Sequence, residues 1–304
     1  MPARILKPKT GECGLTSANA PYDGLMPDGW LQPDWPAPPN VRAVFTTRSH
    51  GVSNPPWDSM NLGDHVGDRA EHVAANRAKL QQVIASRPVF LKQVHGVHAK
   101  QVSLATPDGA EADACTTTER GVACTIMVAD CLPVLLASTD GRWVAAAHAG
   151  WRGLAGMDPD GKAGQKGVLE AVFSAFKALN KPVAQSIRGQ AAPKIIAWLG
   201  PCIGPTVFEV GAEVKAAFYA HQPTCSEFFK PSSPGKYWAD LAGLARSRLQ
   251  ALGVTQIYGN DSRLPWCTAS NASTFFSHRR DAGVGAHSNG HGTTGRMAAS
   301  IWLS

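Results

Sequence analysis

Charge is scarce in this chain. Asp, Glu, Lys and Arg make up 17% of its 304 residues, against 44% hydrophobic residues. That balance excludes a solvated, disordered polymer and provides for a sizeable buried core. Long apolar runs are absent too. No stretch of eighteen apolar residues occurs, so no segment reads as a membrane-spanning helix. The net charge of +6 is not gathered into any Lys/Arg run, which argues against a nucleic-acid footprint and suits a small anionic ligand equally well. Residues 1–9, MPARILKPK, lack the apolar stretch of a secretory leader. The seven cysteines, at 13, 115, 124, 131, 202, 225 and 267, are odd in number. The expectation is a cytoplasmic protein whose thiols are free for metal binding or chemistry and not paired in a disulfide framework.

What is present is turn-forming: 30 glycines and 22 prolines point to a strand-rich or mixed fold, not a helical bundle. Residues 1–40 are rich in Pro and Gly without periodicity and read as a loose arm over the body. Residues 41–304 read as a single domain. Alternation and β-branched content predict a strand over 41–48 and another over 89–95. Asp68 and Glu71 have capping-box spacing ahead of a helix running to about Ser86. Residues 121–128, 132–137 and 143–147 are nearly continuous apolar runs, expected to lie side by side in one sheet. Helices are expected over 167–180, 211–221 and 238–251, and further strands over 195–199 and 297–303. Two Gly-rich stretches, 154–166 and 282–295, read as surface inserts, the second carrying His287 and His291. The fold class is α+β, a mixed β-sheet core with helices outside.

Three segments share one design, with a metal-competent side chain placed where an apolar strand ends: His95 in KQVHG, Cys131 in ADCLP and His148 in AHAGWRG. Two imidazoles and a thiolate suit zinc, and three protein ligands leave a fourth tetrahedral position for water or substrate. The same donors suit copper. Two other readings stand beside this one. A histidine at a strand end is more often a hydrogen-bonded loop residue, and a buried cysteine more often a small hydrophobe. Alternatively Cys131 and His148 are a nucleophile–base pair, with Asp130 orienting the imidazole.

The sequence resembles the bacterial laccase-domain family. Its members are also known as multicopper polyphenol oxidase-like proteins, peptidoglycan editing factors and YfiH-type purine nucleoside phosphorylases. The likeness spans residues 40–304. It is carried by TTRSHGVS (46–53), NLGDHVGD (61–68), NRAKL (76–80), LKQVHG (91–96), ADCLPVLLA (129–137), VAAAHAGWRG (144–153), WLGPCIGPTVFEVG (198–211), FFSHRRD (275–281) and GRMAASIWL (295–303). The resemblance implies a zinc site of His95, Cys131 and His148. It also implies a mixed-sheet sandwich flanked by helices, similar to bacterial cysteine-deamidase toxins. The implied activity is phosphorolysis of adenosine, inosine, guanosine and methylthioadenosine, with adenosine deamination beside it. The implied partners are a small-molecule nucleoside and phosphate, taken by a monomer or homodimer, with neither nucleic acid nor membrane. Copper-dependent polyphenol oxidation is an alternative, although a multicopper centre would need many more His ligands. So is amide hydrolysis on cell-wall precursors through Cys131.

For phosphorolysis, Arg48 is the first choice for the phosphate, because a guanidinium fork matches its oxygens. Arg152 and Arg279 are second choices. Asn61 is a candidate for a hydroxyl or base edge, Phe208 and Trp151 for stacking a purine. Asp130 would be the acid that moves a proton in deamination.

Overall fold

The structure is a computed structural model that describes residues 26–157, 166–179, 193–220, 223–282 and 293–304. His287, His291, Cys13 and most of both expected inserts lie outside the described residues. In chain order the elements are β1 (Val41–Phe45), α1 (Ala70–Ile84), β2 (Arg87–Phe90), β3 (Ala99–Gln101), β4 (Ala114–Thr117), β5 (Val122–Val128), β6 (Leu132–Ser138), β7 (Val144–Ala149), α2 (Trp151–Ala155), α3 (Val168–Leu179), β8 (Ile195–Leu199), β9 (Glu209–Gly211), α4 (Ala212–Tyr219), β10 (Phe229–Pro231), β11 (Lys236–Ala239), α5 (Leu241–Ala251), β12 (Gln256–Gly259), α6 (His278–Asp281) and β13 (Met297–Leu303). No described helix is long and apolar enough to cross a membrane.

Two mixed sheets stack face to face. One has four strands in the order β1-β13-β5-β2, with only the β2–β5 pair parallel. The other has six, in the order β12-β8-β6-β7-β4-β3, with parallel pairs at its two ends. A small antiparallel sheet, β10-β11-β9, stands apart from both.

The period-2 alternation of side chains builds the layers. On β6, Leu135 and Ala137 face the four-stranded sheet, while Val134 and Leu136 face helices α3 and α5. On β5, Cys124 and Ile126 face the six-stranded sheet, while Ala123 and Met127 pack with Leu80, Val83 and Ile84 of α1. The result is a helix–sheet–sheet–helix sandwich, the expected class. Because β5, β6 and β8 have no solvent face, their sequences are apolar throughout, without alternation.

Four expectations need correction. The runs 121–128, 132–137 and 143–147 do not share one sheet. β5 belongs to the four-stranded sheet and β6 and β7 to the other, and an apolar run does not encode which of two buried sheets it joins. The strand expected over 89–95 stops at Phe90, because the following residues turn around a buried carboxylate. Asp68 does not cap α1. Residue 69 is the N-cap, without a side-chain hydrogen bond, and Asp68 accepts instead from Ser53 Oγ and Asn61 Nδ2. Residues 26–40 of the expected loose arm are packed, with Trp30 and Trp35 buried and Leu31 bridging to Phe45.

Leu135 is fully buried between the two sheets. Leu135→Ala is expected to cost about 2–5 kcal/mol in urea unfolding without changing the slope of the transition. A loss below about 1 kcal/mol would show that the sheets do not close on this position.

Candidate metal centre and its pocket

His148 lies near the end of β7, paired with Pro133 of β6 and buried. Alternation places it on the same face of β7 as Val144 and Ala146, toward the other sheet. Cys131 ends the short turn between β5 and β6. His95 lies in the loop after β2 with φ +62°, the left-handed region that a residue with a Cβ rarely adopts. The ligand atoms of the three residues all lie within 4.8 Å of one another, and Cys131 Sγ is 3.7 Å from His95 Nε2. Donors bonded at about 2.0–2.3 Å to one tetrahedral centre are separated by roughly 3.3–3.8 Å, which the Cys131–His95 pair matches. The rings of His95 and His148 meet edge to face at 4.7 Å. Gly150 leaves the room: a Cβ there would stand 3.0 Å from His95 Cδ2 and 3.1 Å from Cys131 Sγ. Donor chemistry and geometry both fit one zinc or copper ion.

Asp113, which the sequence reading missed, holds this arrangement. Its carboxylate accepts from the backbone N–H of Val94, His95 and Gly96 and pairs with His148 Nδ1 at 2.9 Å. Its backbone carbonyl accepts from His148 N at 2.7 Å. The pairing at Nδ1 leaves Nε2 of His148 for the metal, the carboxylate–histidine arrangement common in metal sites. Burial raises the Asp113 carboxyl, but the His148 partner and the N–H donors outweigh it and hold the group below its usual range. The signal in the sequence is slight: one acid inside Ala112-Asp113-Ala114.

Electrostatics couple the ligands. Burial pushes the Cys131 thiol up, yet the imidazoles of His148 and His95 outweigh it and bring it down to about 6. Burial pushes His148 down, while Cys131 and Asp113 raise it to about 9.

The three donors open into a pocket of about 340 Å³, within the usual range for small-molecule sites. Val128, Ile203 and Leu241 form an apolar wall, and Phe208 and Trp151 contribute aromatic surface. His65, His278, Arg279 and Arg296 supply polar groups. Gln93 also lines the pocket, but its amide is committed to Met127 N and O at 2.7 and 2.8 Å and clamps the His95 loop to the end of β5.

The other expected site residues fare differently. Asp130 lines the pocket, but its carboxylate accepts from Thr268 Oγ1, Ser277 Oγ and Arg279 N, so it latches loops together and is not available to move protons. Arg48 does not reach the pocket. Its guanidinium donates to Asp58 O, Asp58 Oδ1 and Ala272 O and lies over Phe276, tying two loops. Asn61 does not reach it either. Its amide is satisfied by Gly63 N and O, Asp68 Oδ2 and Arg296 N. Arg152 is exposed, stacked on Trp151 outside the pocket lining. Arg279 is at the mouth, bonded to Glu209 O. His65, His278 and Arg296 were missed. The only signal for Arg296 is an arginine directly before an apolar strand.

Sequence and structure comparisons show what the chain is similar to. The family model described as multi-copper polyphenol oxidoreductase laccase matches residues 42–304. A Pseudomonas aeruginosa protein named purine nucleoside phosphorylase PA4543 is 44% identical over 278 residues, covering 91% of this chain and 99% of its own. The Escherichia coli K12 protein named purine nucleoside phosphorylase YfiH is 43% identical over 275 residues, covering 90% and 98%. The crystal structure of Neisseria meningitidis protein NMB0706 superposes with a TM-score of 0.75 at 39% identity, over 91% of this chain and all of that one.

Two measurements check the site. Asp113→Asn is expected to lower zinc affinity about 10- to 100-fold with the fold retained, read by competition with a chelating dye. In chelator-treated protein, Cys131 alkylation is expected to climb with pH through about 6 and level off by neutrality, since the thiolate is the reactive form. A climb only through about 8.5, as for an ordinary thiol, would remove the proposed coupling to the imidazoles.

Proposed function

The chain belongs to the multi-copper polyphenol oxidoreductase laccase family, and from that premise we propose that it is a zinc-dependent purine nucleoside phosphorylase. The observation that carries the proposal is the convergence of His95, Cys131 and His148 on the wall of a pocket sized for a nucleoside. The names borne by relatives over 40% identical along nine-tenths of the chain support it. Adenosine, inosine, guanosine and methylthioadenosine are the proposed substrates.

In phosphorolysis a phosphate oxygen bonds to ribose C1′ as the C1′–N9 bond breaks. The electron pair leaves with the purine, which takes up a proton, and positive charge develops on the sugar. A zinc ion held by His95, Cys131 and His148 would supply Lewis acidity at an open coordination position. Asp113 fixes the His148 ring and the His95 loop. Phe208 and Trp151 line the pocket and would give the purine aromatic contact, with Arg279 over the Phe208 ring and Arg152 over that of Trp151. The apolar wall of Val128, Ile203 and Leu241 would limit water in the pocket, which favours phosphorolysis over hydrolysis. Arg279 at the mouth gives an incoming anion its first positive charge.

Adenosine deamination is a second reading, favoured by His65 and His278 in the same cavity. Burial, and then the charge of Arg296, hold both imidazoles below their usual range. They are therefore neutral and able to accept a proton near pH 7. Copper in place of zinc, with polyphenol oxidation, is a weaker reading, because one three-donor group is found among the described residues. Amide hydrolysis through Cys131 competes directly, since a thiolate gripped by zinc is a poor nucleophile.

The test is incubation of the zinc-loaded protein with adenosine and phosphate, followed by chromatography. Adenine with ribose 1-phosphate is the expected product. Inosine would mean deamination, and no turnover with zinc bound would refute both. His148→Ala is expected to lose the metal and at least about 100-fold in turnover while keeping its far-UV spectrum. Undiminished turnover in that variant would overturn the ligand assignment.

A further inference from the structure

Phosphorolysis requires a place for a tetrahedral dianion, and the arginines singled out from the sequence are poorly suited to it. Arg48 is tied to Asp58 and Ala272, Arg152 is stacked on Trp151, and Arg279 is exposed with Nη1 bonded to Glu209 O. Arg296 differs from all three. It lines the metal pocket, is half-buried and has no ion-pair partner among the described residues. The negative groups that act on it are Cys131 first, a candidate metal ligand, and then Asp130, whose two oxygens are already taken by Thr268, Ser277 and Arg279 N. A largely desolvated cation without an ion-pair partner of its own is costly to retain unless an anion completes it.

The side chain is also held in place. Nη1 donates to Thr294 O at 2.9 Å and to Gly295 O at 3.3 Å, which fixes the plane of the guanidinium. The backbone N donates to Asn61 Oδ1. The stem lies against Gly63, where a Cβ would come within 2.8 Å of Arg296 Cγ. Nε and Nη2 have no hydrogen-bond partner among the described residues, and together they form the edge of the fork that meets two oxygens of one oxyanion. Preorganisation of this kind lowers the ordering cost of binding.

We propose that Arg296 is the group that binds inorganic phosphate in this pocket, through its Nε–Nη2 edge. The assignment rests on the phosphorolysis reading for its choice of free phosphate. The same fork would also accept the phosphate of a nucleoside monophosphate.

The experiment measures binding of inorganic phosphate to the zinc-loaded full chain by equilibrium dialysis, without nucleoside, and then the KM for phosphate and for adenosine. Arg296→Met is expected to weaken phosphate binding about 10- to 100-fold, the loss of a charge-assisted pair, and to raise the phosphate KM in parallel while the adenosine KM moves less than about threefold. Arg296→Lys keeps the charge and loses the fork, and is expected to fall between, which guards against misfolding of the methionine variant. Arg142→Met removes a surface charge outside the pocket and is expected to change nothing. Unchanged phosphate binding in both Arg296 variants overturns the proposal even if phosphorolysis proceeds. Arg296-dependent phosphate binding without nucleoside cleavage upholds the anion site and refutes phosphorolysis instead. Arg296-dependent binding of adenosine monophosphate with no binding of inorganic phosphate overturns the choice of free phosphate.

Discussion

The site depends on one buried carboxylate. Asp113 takes the N–H of three consecutive residues at the His95 turn and the Nδ1 of His148, and its own carbonyl takes the backbone N–H of His148. Two of the three proposed ligands thus receive their position from a single side chain. Hydrogen bonds to a charged group contribute about 1.5–3 kcal/mol each. That offsets a left-handed, non-glycine conformation at His95, which costs about 1–3 kcal/mol.

The third ligand is positioned in a parallel way. Asp130, just before Cys131, is also left-handed, at φ +87°. Its carboxylate gathers Thr268, Ser277 and the backbone of Arg279, and its carbonyl accepts from Ile203 N. A strained turn that presents a sulfur is therefore anchored to the loops that form the opposite side of the pocket. Asp113 works through three backbone N–H groups and the His148 ring, Asp130 through two hydroxyls and one backbone N–H, so neither is a free base.

The polar loop after β1 has a comparable economy. Arg48 and Asn61 look like ligand-binding residues because they are polar and lie in a Gly-rich stretch. Their side chains are taken up by backbone carbonyls and amides and by the carboxylates of Asp58 and Asp68. The loop reaches the pocket directly through His65, and at second hand through the bond from Arg296 N to Asn61 Oδ1. Buried polar groups in a protein this apolar must find partners, and here most of them are used to fix the loops around a few groups left open.

The sequence alone determined the class of fold, the buried strands at 195–199 and 297–303, and the residue types of the metal set. Each is local information: an apolar run, a turn residue, or a donor at the end of a strand. The candidate ligands His95, Cys131 and His148 were legible because each sits in such a local frame. Only the tertiary structure decided that β5 leaves β6 and β7 for the opposite sheet, that Asp113 orients His148 across 35 residues, and that Arg296 faces the pocket while Arg48 does not. Those outcomes depend on which donors and acceptors meet after the sheets have stacked. Spacing along a chain carries no record of partners that distant, whereas the periodicity of a single strand is written residue by residue.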